Sequence, residues 1–229
     1  MLVAFDMFGT LADTASVAVE LAPACGDRAG DVAAAWRVRQ LEYMFRVTAM
    51  SQFPPFADLT RWSLASALAE FGFSLPPSQI GRLAGAYRRL RPYADARPAL
   101  TALRELGHQV VVLSVGPKAW LEELASSYRD LVDDLVSAEQ AGVYKPHPGI
   151  YRHLLTVRQT EPASTLLVSG NPFDIIGAGA VGLRTVWCKR QPSALFDPWG
   201  RPPDHVVTSL ADLAGLLLLP PGGQITEPA

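Results

Sequence analysis

Four short, nearly unbroken apolar runs limit what this chain can fold into. They are Leu2–Phe5, Val110–Leu113, Leu166–Val168 and Thr185–Trp187, and the first three end at Asp6, Ser114 and Ser169. A strand with one wet face alternates apolar and polar residues. A continuous apolar run is buried on both faces, as in a parallel sheet. Helical patterns fall between the runs. Residues 98–106 carry Leu100, Leu103 and Leu106 and stop at Gly107, while 117–128, 148–158 and 172–181 each begin with proline, which suits a first helical turn. Strand and helix alternate, so the expected class is α/β: a Rossmann-like, mostly parallel sheet with helices on both faces.

Residues 15–92 break that alternation. Helical segments are expected over 32–50, 59–71 and 79–90, separated by Pro54-Pro55 and Pro76-Pro77, with no convincing strand. The stretch reads as a helical cap inserted after the first strand. The catalytic core is then expected over 1–14 and 93–219, the cap over 15–92, and a flexible tail over 220–229, where Pro220-Pro221-Gly222-Gly223 opens.

Composition narrows the function. Of 229 residues, 49% are hydrophobic and 18% charged, which excludes disorder as the dominant state. The net charge of -2 offers no basic excess for nucleic acid. No apolar run reaches the roughly 18 residues of a membrane helix, and the N-terminus lacks a basic leader. Two cysteines, Cys25 and Cys188, do not make a disulfide framework. The expectation is a soluble cytoplasmic protein without nucleic-acid or membrane partners. His108, His147, His153 and His205 show no ligand spacing, so no metal is assigned.

In an open α/β sheet, ligands sit beyond the carboxyl ends of the strands. Asp6–Thr10, Ser114, Lys145 and Ser169–Asp174 all fall near such ends. Each residue has a plainer reading. Asp6 could cap a turn, Thr10 and Ser114 could be ordinary hydroxyls, Lys145 could be solvated, and Ser169, Asn171 and Asp174 could serve the start of the following helix. Together they suggest a carboxylate nucleophile, Asp6, oriented by Thr10 and kept ionised by the Lys145 ammonium.

Asp6-Met7-Phe8-Gly9-Thr10-Leu11, Ser114, Lys145-Pro146 and Asn171-Pro172-Phe173-Asp174 resemble, in order, the four motifs of the haloacid dehalogenase superfamily. Within it the chain is most similar to the L-2-haloacid dehalogenases. Trp36-Arg37-Val38-Arg39-Gln40-Leu41-Glu42-Tyr43 matches their first cap helix, and Val143-Tyr144-Lys145-Pro146 with Tyr151 matches their lysine motif. Phosphatases of the superfamily place a second Asp at the position of Phe8 and hold magnesium with an acidic pair in the last motif. Here that motif reads Gly170-Asn171, leaving only Asp6 and Asp174. A hard cation needs more oxygen ligands than that pair supplies. Halide leaves as a stable anion and needs no proton.

The resemblance implies that Asp6 attacks the α-carbon of a short (S)-2-haloacid, halide leaves, and water cleaves the resulting ester to an (R)-2-hydroxy acid. It implies catalytic roles for Asp6, Thr10, Arg37, Ser114, Lys145, Tyr151, Ser169, Asn171 and Asp174. Arg37 would receive halide and Ser114 the substrate carboxylate, while Ser169, Asn171 and Asp174 would hold Lys145 and position water. Arg39 should face elsewhere on its helix. Met7, Phe8, Arg37, Leu41, Phe56, Ser114, Val115 and Phe173 would line the substrate. The general base stays open. Expected partners are the haloacid, water and halide, with no cofactor, and relatives suggest a homodimer.

Three positions depart from the dehalogenase pattern. Val115 replaces an asparagine of the anion cradle, Val38 a common glutamine and Phe8 a frequent tyrosine, so the pocket should be drier. Losing one anion donor costs about 2.7–4 kcal/mol where nothing substitutes for it. A dehalogenase of altered rate or substrate, another hydrolase of the fold such as a phosphatase, and a non-catalytic small-acid binder all remain open at this point.

Overall fold

The computed structural model describes residues 1–218 of the 229. The expected tail, 220–229, lies outside the described residues. The main sheet contains β1 (Leu2–Phe5), β4 (Gln109–Ser114), β5 (Asp134–Ser137), β6 (Thr165–Ser169), β7 (Arg184–Cys188) and β8 (His205–Val207). Its order is β5-β4-β1-β6-β7-β8 and every pairing is parallel. Strands β1 and β6 are buried throughout, which is why their sequences do not alternate.

From β1 the chain passes outward to β4 and β5, then crosses to the other side of β1 for β6, β7 and β8. Right-handed crossovers in opposite directions place helices on both faces. Helix α5 (Ala96–Glu105) packs on β4, α6 (Lys118–Leu124) on β5, and α9 (Pro172–Ala180) on β6 and β7. Short α7 (Ala138–Ala141) meets α8 (Pro148–Arg158), and α10 (Leu213–Leu218) meets α5. The reversal of strand order about β1 opens a crevice beyond its carboxyl end.

Between β1 and β4 come α1 (Ala18–Cys25), α2 (Ala29–Ala49), α3 (Phe56–Glu70) and α4 (Pro77–Ala84). Trp36 of α2 is fully buried, donates to the Thr60 carbonyl of α3 at 2.9 Å and meets the Tyr87 ring at 4.6 Å. This inserted helical segment packs on the sheet through aromatic residues. Phe8 lies 5.4 Å from Phe56 and 5.9 Å from Tyr87, while the Tyr144 hydroxyl donates to the Pro54 carbonyl at 2.6 Å.

The structure corrects several expectations. The inserted segment does contain a strand: β3 (Arg91–Pro92) pairs antiparallel with β2 (Ala12–Asp13). Two residues are too few to show any periodicity. The helices expected to reach Leu90 and Tyr128 end at Ala84 and Leu124 and continue as 3-10 turns. Strand β5 carries only two apolar residues between Asp134 and Ser137, and β8 is a three-residue edge strand, so neither shows as an unbroken apolar run.

Candidate active site

The carboxyl end of β1 delivers Asp6, whose N–H donates to the Val168 carbonyl of β6 at 3.0 Å. The chain then turns tightly, with the Met7 carbonyl accepting from the N–H groups of Thr10, Leu11 and Ala12. Gly9 takes φ +82°, a conformation most side chains resist. The Thr10 hydroxyl donates to Asp6 Oδ2 at 2.8 Å and accepts from the Gly170 N–H, also at 2.8 Å. Gly170 must lack a side chain, because a Cβ there would lie 2.3 Å from the Gly9 carbonyl oxygen.

Beyond β6, Asn171 does not cap α9 with its side chain. Its amide instead donates to Asp6 Oδ2 at 2.8 Å and to the Phe8 carbonyl at 3.0 Å. Asp6 Oδ2 thus accepts two hydrogen bonds, while Oδ1 accepts one, from Lys145 Nζ at 3.0 Å. Lys145 also donates to Asp174 Oδ2 at 2.8 Å, and the Tyr151 hydroxyl donates to Asp174 Oδ1 at 2.7 Å. Asp6, Lys145, Tyr151 and Asp174 are all at most 3% exposed.

Burial is the strongest single influence on Lys145 and opposes its charge, but Asp174 and Asp6 outweigh it and raise its pKa above the ordinary lysine value. The ammonium therefore stays charged. Burial, and then the negative charge of Asp174, push the Tyr151 hydroxyl well above its usual range, so it remains a donor. Burial, reinforced by Asp6, raises Asp174 despite the opposing pull of Lys145. The donor set does not fit a magnesium ion: Lys145 already bridges the two carboxylates, and the remaining site residue in the last motif is a neutral amide. Among the described residues, no group of three or more His, Cys, Asp or Glu side chains could hold a metal ion.

From the cap, Arg37 of α2 reaches over this cluster. Its Nη2 lies 3.4 Å from the Phe8 carbonyl and 3.3 Å from Asn171 Oδ1. Arg39 turns outward to Glu42 and Glu70. Phe56 packs by Phe8, Trp120 and Tyr144, Phe173 meets Phe45 edge-on at 5.1 Å, and Leu41 is half-buried beside the core. Ser114 and Val115 are buried at the end of β4, where the Gly116 N–H points at Ser114 Oγ over 3.4 Å.

Four expected positions differ in the structure. The Met7 side chain is buried against Tyr128, whose hydroxyl contacts the sulfur at 3.5 Å, rather than standing beside the Asp6 carboxylate. Successive residues of an extended segment point opposite ways. Val38 is 56% exposed and dries no pocket, because one residue along a helix turns the side chain by about 100° from Arg37. Of the three residues expected to hold Lys145, only Asp174 bonds it. Ser169 Oγ accepts from the Asn171 N–H instead.

Two further residues join the site. Gln40 is buried and accepts from Arg37 Nη1 at 2.9 Å. Its signal was a place one helical turn beyond Arg37 on the same face. Arg190 donates to the Thr10 carbonyl and to Asp95 at 2.7 Å, and its guanidinium lies 3.9 Å from the Tyr93 ring centre. It stands just past the carboxyl end of β7, a place equivalent to those of Ser114 and Ser169.

Comparison with known proteins agrees with this arrangement. The family description haloacid dehalogenase-like hydrolase matches residues 1–182. The chain is 34% identical to (S)-2-haloacid dehalogenase 4A of Burkholderia cepacia, covering 93% of each protein. It is 32% identical to haloacetate dehalogenase H-2 of Moraxella sp. (strain B), covering 94% of this chain and 96% of that one. A solved L-2-haloacid dehalogenase from Xanthobacter autotrophicus, with chloropropionic acid covalently bound, superposes with a TM-score of 0.90 at 30% identity, covering 95% of this chain and 98% of that one.

Proposed function

The chain belongs to the haloacid dehalogenase-like hydrolases, and from that footing we propose that it hydrolyses short (S)-2-haloacids to (R)-2-hydroxy acids through an ester on Asp6. One observation carries the reading. A buried carboxylate with one oxygen doubly tied and the other less burdened faces a guanidinium that has no carboxylate partner among the described residues.

Asp6 Oδ1 is the attacking oxygen. Thr10 and Asn171 hold Oδ2, while Lys145 leaves Oδ1 a lone pair for the α-carbon. The new carbon–oxygen bond forms as the carbon–halogen bond breaks, and the pair from that bond leaves on halide. Arg37 receives the anion, its permanent charge unneutralised by a neighbour. Ser114 and nearby N–H groups hold the substrate carboxylate. Water then adds to the ester carbonyl, the alkoxide leaves as the hydroxyl of the product, and Asp6 is restored. Attack at carbon inverts the centre and ester cleavage leaves it alone, so the net outcome is inversion.

Lys145, fixed by Asp174 and Tyr151, holds its ammonium against Asp6 Oδ1. Phe8, Leu41, Phe56 and Phe173 exclude bulk water and strengthen the charges within. Val38 and Trp62 are exposed on the packed helices α2 and α3, and we place a homodimer contact there, testable by sedimentation. Two buried, unpaired cysteines suit a cytoplasmic setting.

The test is halide release from separate (S)- and (R)-2-chloropropionate in EDTA, with chloroacetate and fluoroacetate alongside. Release from the (S) acid alone, with (R)-lactate as product, is the expected outcome. Silence across all four acids would overturn the reading.

A further inference from the structure

Arg37 is held by a hydrogen-bond chain whose direction is chemically determined. Thr60 of α3 is fully buried, and its hydroxyl donates to the Phe56 carbonyl at 2.8 Å. A carbonyl cannot donate, so the single hydroxyl hydrogen is committed there. Toward Gln40, Thr60 Oγ1 offers only a lone pair. Gln40 Nε2 donates to it at 2.9 Å, and the amide is thereby oriented with Oε1 toward Arg37 Nη1, also at 2.9 Å. This is the shortest contact Arg37 makes, since its bonds to Phe8 and Asn171 are 3.4 and 3.3 Å. Gln40 is 1% exposed, so bulk water does not compete for the amide. Trp36 Nε1 donates to the Thr60 carbonyl at 2.9 Å, so the same residue ties α2 to α3 through both main chain and side chain.

The anchor is also neutral. A glutamate in its place would pair with the guanidinium and compete with any incoming anion. An aliphatic residue would leave the arginine free to rotate. A glutamine of fixed polarity orients the arginine and leaves its charge unspent. We propose that Gln40 and Thr60 are positioning residues that aim the Arg37 guanidinium at the departing halide. This rests on the dehalogenase reading above.

Chloride is a poorer leaving group than bromide, so its departure depends more on a well-placed cation. The informative measurement is the ratio of kcat/KM for (S)-2-bromopropionate to that for (S)-2-chloropropionate. kcat/KM reports steps through carbon–halogen cleavage, so slow ester hydrolysis does not mask the effect. Thr60→Val keeps the shape and removes the hydroxyl, which frees the amide to flip. It is expected to lower kcat/KM for the chloro acid about tenfold and for the bromo acid about threefold, raising the ratio about threefold. Thr60→Ser, which retains the hydroxyl, should restore both values to within about twofold. Gln40→Met should raise the ratio as Thr60→Val does, and it tests the same chain should Thr60→Val fold poorly. Gln40→Glu should lose more activity than Gln40→Met, because it neutralises the arginine.

A general loss of packing would depress both substrates equally. An unchanged ratio in Thr60→Val and Gln40→Met, or a Thr60→Ser protein as impaired as Thr60→Val, overturns the proposal while leaving the dehalogenase reading intact. A wild-type protein that releases no halide overturns both.

Discussion

Beneath the site, Lys145 Nζ sits 3.0 Å from Asp6 and 2.8 Å from Asp174, with all three residues sealed from water. Above it, Arg37 spans 3.3 and 3.4 Å to the core, and its one short bond is to a neutral amide. The buried carboxylates share an ammonium, whereas Arg37 has no carboxylate partner among the described residues. That asymmetry suits a reaction in which a nucleophile must stay fixed while an anion is created and released on the other side. It also separates two kinds of cost. Removing a charge from the core exposes an unpaired ion in a low-dielectric interior, whereas changing Arg37 removes a function with little structural debt.

The comparison can be broken at several points. Asp6→Asn should reduce halide release by at least about 10⁴-fold, since no second nucleophile is placed to substitute; steady-state release from (S)-2-chloropropionate measures it. Lys145→Met strands two buried carboxylates and should cost about 3–5 kcal/mol in stability, read as a fall of about 10 °C in Tm. If Tm holds, the core is less dependent on its ammonium than the geometry implies. Arg37→Lys should lower kcat/KM by about 10²–10³-fold yet leave Tm within about 2 °C, because lysine keeps charge but loses the planar fork. An equal loss of stability would erase the contrast between the two halves.

Alkali offers a milder test. Burial raises Tyr87 to about 12 and Cys188 to about 11, and it also raises Tyr128, Tyr144 and Tyr151. The folded chain therefore holds protons that the unfolded chain has surrendered. Stability should fall as pH climbs from the unfolded values of 9.0 for cysteine and 10.0 for tyrosine toward these raised ones. Lys145 acts in the same direction, its contribution fading as pH rises through its raised value. Tm measured from pH 8 to 11.5 should decline, with tyrosinate absorbance at 295 nm appearing together with unfolding. Free ionisation of these tyrosines in the folded protein would contradict their burial.

The core half was readable because its logic is local. An unbroken apolar run identifies a buried parallel strand, and the next polar residue lies where ligands bind. Asp6, Ser114 and Ser169 follow directly from that rule. The carboxylate–ammonium cluster needed more, since Lys145 and Asp174 stand 29 residues apart and meet only through the packing of α8 and α9. The cap half depends on helix phase. Arg37 and Gln40 share a face one turn apart, but Thr60 gives no signal until α3 is laid against α2. Val38 and Met7 show the converse, since each adjoins a site residue in sequence and points away from it in space.

The approach of Gly170 to the turn at Gly9 has a consequence for timing. It lets the Gly170 N–H feed the Thr10 hydroxyl, which feeds Asp6. Bonds aligned this way polarise one another and are strongest when the last acceptor carries full negative charge. In the proposed Asp6 ester that charge is gone and these bonds weaken. Exchange of the Gly170 amide should therefore quicken in the trapped ester relative to the free protein, and an unchanged rate would refute the link. On that proposal the Asp6 carboxylate is held most firmly before attack, and its hydrogen bonds slacken at the stage when water must cleave the ester.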